Sequence, residues 1–169
     1  RCGYGLGAAE NDVTLADLAR LANVFYIGGT KVGALFGEAV VIPDPAIQKD
    51  FRYMIKRMGG MLAMGRLLGI QFEVLFQDGL YEQLGRRTVA LAQKLAAAFG
   101  AKGISMLHKS PTNQQFPVLT QAQRDKLGEK YAFSFWQSVD EDRAAVRFCT
   151  SWATREEDVD ALVADIQNL

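Results

Sequence analysis

Two basic residues stand in positions where chemistry could need them. Lys31 lies in "VFYIGGTKVGALFGEAVVI", residues 24–42, between two β-type runs, 24–27 and 38–42. Arg147 lies in "AAVRFCTSW", where strand alternation puts Val146 and Phe148 on one face and Arg147 on the other. For Lys31 the plain reading is a glycine turn with a solvated amine, since lysines are almost always exposed and strand connections are commonly glycine-rich. The connection is longer than a tight hairpin needs, however, and carries Val32, Ala34, Leu35 and Phe36. An apolar connection of that kind packs against protein, so its lysine is expected to be partly desolvated. Desolvation disfavours the ammonium and exposes the nucleophilic amine, which suits Schiff-base chemistry. For Arg147 a solvated arginine on an open sheet face and a bidentate clamp on a carboxylate both fit the pattern.

The surrounding elements are readable from periodicity and caps. Thr14 with Asp17 has capping-box spacing before a short helix bearing Leu15, Leu18 and Leu21. Asp44 and Pro45 start another helix, with Ile47, Phe51, Met54, Ile55 and Met58 on one stripe. After Gly59-Gly60 comes "MLAMGRLLGIQFEVLF", apolar nearly all round and expected to be buried. A third helix begins near Asp78-Gly79, shows Leu84, Leu91, Leu95 and Phe99, and is expected to stop at Gly100. Beyond it, "GISMLH" and "NQQFPVL" read as strands, Thr120 with Gln123 caps a helix, and "AFSFWQS" and "AAVRFCTSW" flank "VDEDR" as a hairpin. Thr154 with Glu157 is predicted to cap the last helix, whose face is Val159, Leu162, Val163 and Ile166.

Composition narrows the class. The chain has 169 residues, 49% hydrophobic, with zero net charge, so no electrostatic case exists for nucleic acid or an acidic membrane. No apolar run reaches transmembrane length, and no secretory leader pattern appears. Cys2 and Cys149 match no metal or redox spacing, and reduced thiols in a cytoplasmic protein are the default expectation. The chain opens on Arg1-Cys2-Gly3 without a methionine, which reads as a chain beginning in mid-protein.

"YIGGTKVGALFGEAVVI" resembles the lysine segment of the threonine aldolase group of pyridoxal-phosphate enzymes, within the beta-eliminating lyase superfamily. "RCGYGLGAAENDVTLADLARLANVFYIGGTKVG", "SPTNQQFPVL" and "VRFCTSWATREEDVDAL" resemble that family too, in the same order. The resemblance implies an α/β architecture and the C-terminal half of a type I fold. Residues 1–78 would end a large cofactor-binding domain with a mostly parallel sheet, and residues 79–169 would form a small α+β domain. It further implies pyridoxal 5'-phosphate as cofactor, with Lys31 bonding to its aldehyde carbon and Thr30 beside it. Arg147 would grip the substrate α-carboxylate, and Arg1 would contribute to carboxylate and cofactor binding. The implied reaction is cleavage of a β-hydroxy-α-amino acid such as L-threonine or L-allo-threonine to glycine and an aldehyde. β-Elimination or another amino-acid reaction on the same cofactor remains an alternative, as does an assembly module inactive by itself. The implied partners are a small amino-acid substrate and further copies of the chain in a dimer or tetramer. Lys56, Arg57 and Arg66 sit where family members reach a neighbouring subunit's cofactor phosphate, but "KRMGGMLAMGR" departs from the family pattern, and a solvated helix end fits as well. His108 reads as structural or superficial. Asn113, Gln114 and Gln115 fit a cleft lining or a polar strand edge.

Overall fold

The computed structural model describes residues 3–169. A 3-10 turn at Tyr4–Gly7 leads to helix α1 (Leu15–Leu21), whose capping box forms as its spacing predicts: Thr14 Oγ1 accepts from Asp17 N, and Thr14 N donates to Asp17 Oδ2. Strands β1 (Phe25–Gly28) and β2 (Glu38–Val41) follow, joined by residues 29–37. Helices α2 (Pro45–Gln48), α3 (Phe51–Arg57), α4 (Arg66–Phe76) and α5 (Leu80–Ala101) come next. The rest comprises β3 (Gln114–Gln115), β4 (Val118–Thr120), α6 (Gln121–Gly128), β5 (Ser134–Ser138), β6 (Arg143–Cys149) and α7 (Glu156–Gln167).

Two apolar clusters hold these elements. Tyr4, Ile27, Val32, Ala34, Leu75, Tyr81 and Val89 form one. The other packs Leu91, Leu95 and Phe99 of α5 against Val146 and Phe148 of β6 and Val159, Leu162 and Ile166 of α7. α5 serves both, so one helix fixes the early strands relative to the later sheet. That sheet is antiparallel, with β6 between β5 on one side and β3 and β4 on the other.

Several expectations change. The mostly parallel sheet is not seen: β1 and β2 pair antiparallel, as does every strand pair among the described residues. A parallel return needs a crossover of about a dozen residues or more, and residues 29–37 are too few. The helix from Pro45 breaks at Asp50, whose φ of 56° is left-handed. α4 is not enclosed. Leu75 is its buried residue, while Leu67, Ile70, Val74 and Phe76 are exposed. A helix apolar all round is buried only where neighbours surround it, and α4 meets α5 and the 29–37 loop on one side. "GISMLH" forms a single bridge, Met106 to Pro117, rather than a strand. α5 runs through Gly100 and ends at Ala101, with Lys102 as its C-terminal cap and left-handed Gly103 after it. Thr154 does not cap α7. Its Oγ1 accepts from Ser151 N at 2.8 Å, and Arg155 takes the cap position without a side-chain bond.

Gly7 lies flat on Gly85 of α5, and a Cβ at Gly7 would overlap the Gly85–Arg86 backbone. Backbone cannot move aside as a side chain can. Gly7→Ala should therefore cost roughly 1–3 kcal/mol, read as a lower denaturation midpoint. At the α6–α7 junction Tyr131 Oη donates to Asp165 Oδ2 at 2.7 Å, and burial together with that carboxylate pushes the phenol up to about 12. A raised folded value means that the contribution is complete below the ordinary value of about 10 and is lost as the pH rises to about 12. Denaturation midpoints across that window should fall for this chain and fall less for Tyr131→Phe.

Candidate active site

Lys31 sits on a 3-10 turn, Thr30–Val32, directly after β1. The turn is anchored by its neighbours: Val32 is 1% exposed and Ala34 9%, both in the first core cluster. Val32 N and Ala34 N donate to Gly29 O at 3.0 Å each, and Leu35 N donates to Gln71 Oε1 at 2.7 Å. Gly33 ends the turn at φ 104°, a left-handed backbone that strains other residues, with the Trp152 indole 3.6 Å from where a Cβ would stand. Thus alternate residues are driven into the core and Lys31 is driven out of it. The connection is packed only at Val32 and Ala34; Leu35 and Phe36, expected to pack as well, are exposed. The amine is not partly desolvated as expected: Lys31 is exposed on the cleft side.

The opposite wall is the end of β6. Val146 and Phe148 are buried in the core, and the alternation turns Arg147 to the other face, as predicted. Arg147 is half-buried. One Nη donates to Gln114 Oε1 at 3.4 Å, its Cζ lies 5.5 Å from the centre of the Trp136 ring, and its Nε is buried with no hydrogen-bond partner. A buried donor left unpaired costs about 1–3 kcal/mol. No carboxylate within 4 Å pairs with Arg147 or Lys31 among the described residues.

Lys31 and Arg147 line one cleft of about 670 Å³, together with Thr30. Gly3, Tyr4 and Gly5 close one end, and Thr112, Asn113 and Gln114 flank Arg147. The 110–113 segment is pinned from below: Gln115 Nε2 and Gln93 Nε2 each donate to Ser110 O and Thr112 O. Asn113 Nδ2 donates to Thr150 O at 2.8 Å, and Thr150 Oγ1 to Thr88 O at 2.7 Å. Trp152 N donates to Tyr4 Oη at 3.0 Å, tying the N-terminal turn to the strand end; burial pushes the Tyr4 phenol up, and this bond partly offsets it. Burial pushes the Cys149 thiol up, while the charges of Arg147 and Lys31 pull it back. Glu38 is the one acidic side chain on the described lining, against Lys31 and Arg147, so the cleft favours an anionic ligand.

Of the other sequence candidates, Asn113 and Gln114 reach the cleft, whereas Gln115 is buried beneath it. His108 packs at a tilt against Phe116, ring centres 4.5 Å apart, away from the cleft lining. Lys56, Arg57 and Arg66 are exposed on α3 and α4, off the lining. Arg1 lies outside the described residues. Tyr4, Trp136 and Trp152 carried no sequence signal as site residues, because tertiary packing alone brings them here. Among the described residues no cluster of His, Cys, Asp and Glu could hold a metal, and no helix is long and apolar enough to cross a membrane.

This mixed α/β chain thus brings an exposed lysine and a half-buried arginine to one cleft. Known proteins similar to it bear on what that cleft does. No family model matches the chain. It is 27% identical over 146 residues to a low-specificity L-threonine aldolase from a Pseudomonas species, and 28% over 148 residues to one from Pseudomonas aeruginosa. Each match covers 86% of this chain and 41% of the relative. Among solved structures it matches Leishmania major threonine aldolase at 39% identity with a TM-score of 0.89, over 96% of this chain and 48% of that one. The chain is therefore a homologue of threonine aldolases along most of its length, and it spans less than half the length of each of these relatives.

Proposed function

We propose that this chain supplies part of the active site of a pyridoxal-phosphate-dependent aldolase acting on β-hydroxy-α-amino acids such as L-threonine or L-allo-threonine. The observation that carries this reading is the meeting of Lys31 and Arg147 in one cleft, each without a carboxylate partner. The donor set fits the cofactor: an amine on a fixed turn for its aldehyde, with Thr30 next to it, and a cationic lining for its anionic groups. Arg147, with one long bond to Gln114 and no carboxylate partner, fits a substrate carboxylate, which could accept from its two Nη groups together. When bound, pyridoxal phosphate supplies an electron sink for charge left at the substrate Cα.

The chain's own residues have the following parts in this reading. Arg147 binds and orients the α-carboxylate. Lys31 would hold the cofactor through its amine. The Gly33 turn, held by Val32, Ala34 and Gln71, keeps Lys31 on the cleft side. Residues 1–78 continue a cofactor-binding domain, residues 79–169 form the small domain, and Arg1 adds to carboxylate and cofactor binding.

The exposure of Lys31 and of the apolar α3–α4 face supports a chain completed by further protein, including other copies of itself. Leu35, Met58 and Met64 are each at least 80% exposed. The test is product analysis on the intact protein with L-threonine and L-allo-threonine. Glycine with acetaldehyde supports the aldolase. Release of ammonia with a keto acid would assign the site to β-elimination instead, and absence of either product with cofactor bound would overturn the amino-acid lyase reading.

A further inference from the structure

Trp136 occupies an irregularity in the sheet. β5 pairs with β6 in the register Ser134 with Arg147 and Phe135 with Val146, then jumps to Gln137 with Ala145. Trp136 is the extra residue of this bulge and has no partner on β6. Bulges bend a strand, increase its local twist and re-aim a side chain. Here the indole comes to lie 5.5 Å from the Arg147 Cζ, within cation–π range. Its other support is Phe116, at 4.9 Å and 63° in an edge contact, and Phe116 is itself buried and packed at a tilt against His108. The indole is thus braced by the core on one side and bears on the guanidinium on the other, although Trp136 is 46% exposed.

The contact acts on Arg147 in a particular way. A cation–π interaction engages the charge of the guanidinium and consumes none of its N–H donors. The Gln114 bond is long and takes up a single Nη, so the Nη donors needed for a carboxylate stay available. An arginine has several rotatable bonds, and freezing them when a ligand arrives lowers affinity; a group held in place beforehand avoids that loss.

Building on the proposed function above, we infer that Trp136 is a positioning residue that holds the Arg147 guanidinium ready for the substrate α-carboxylate. The carboxylate grip is the same for bound substrate and transition state, so Trp136 affects KM and leaves kcat nearly unchanged.

The experiment is steady-state kinetics of the intact, cofactor-loaded protein with threonine, on Trp136→Leu, Trp136→Phe, Arg147→Gln and the Trp136→Leu/Arg147→Gln pair. Loss of the indole should raise KM about tenfold, and phenylalanine, a weaker π partner, about threefold, with kcat within about twofold. In the Arg147→Gln background Trp136→Leu should change KM by less than about twofold, because its partner is gone. Should the Leu variant fail to take up cofactor, the Phe substitution made in both backgrounds decides on the same criterion. An Arg147→Gln variant with raised KM beside Trp136 variants at the parental value would overturn the positioning role and leave the clamp intact. An equal Trp136 effect with and without Arg147 would also overturn it. A parental KM for Arg147→Gln would overturn the clamp, and the role of Trp136 with it.

Discussion

Replacing Lys31 by alanine in the intact protein should abolish covalent loading of pyridoxal phosphate and lower aldol cleavage by a factor on the order of 10³ or more, the scale expected when a covalent nucleophile is lost. The magnitude follows from the cleft. Lys31 is the single amine on its described lining, so no neighbour stands ready to substitute. The turn should survive the change, since its anchors are Val32, Ala34 and the bonds to Gly29 and Gln71, none of which involves the lysine side chain. The measurement is the cofactor's absorbance together with single-turnover glycine release. A variant that loads cofactor covalently and turns over near the parental rate would remove Lys31 from the chemistry.

Arg147→Lys should leave cofactor attachment unchanged and weaken amino-acid binding. Lysine keeps the charge but presents a point cation, and it cannot make two parallel bonds to one carboxylate. Losing one charge-assisted hydrogen bond costs about 1.5–3 kcal/mol, or roughly ten- to a hundredfold in KM. An unchanged KM would return Arg147 to an ordinary place on an open sheet face.

How much of this was legible beforehand depends on the range of the signal. The capping boxes at Thr14/Asp17 and Thr120/Gln123 involve residues three apart, and both form. Thr154 has the same spacing to Glu157, yet its hydroxyl is taken by Ser151 N, a competing local partner that spacing does not reveal. The outward face of Arg147 was legible because period-two alternation is strict where one face is buried, as Val146 and Phe148 are. The bulge at Trp136 breaks that period and left no mark on the sequence. Lys31 was found through its glycines and apolar neighbours. Its exposure was not, since those neighbours bury themselves and thereby turn the lysine outward. α4 misled for the opposite reason: its apolar composition describes the contacts it can make, whereas burial depends on what stands beside it. The closing of the cleft by Tyr4 and Trp152 rests on a bond between residues at opposite ends of the chain, beyond any periodicity.

The central claim is that Lys31 carries the cofactor. Its most direct measurement is borohydride reduction of the cofactor-loaded intact protein, followed by protease digestion and mass spectrometry of the labelled peptides. The account predicts one stoichiometric pyridoxyl label, on the peptide containing "GGTKVG", with the modified residue at Lys31. A stoichiometric label on any other lysine, with Lys31 unmodified, would contradict it.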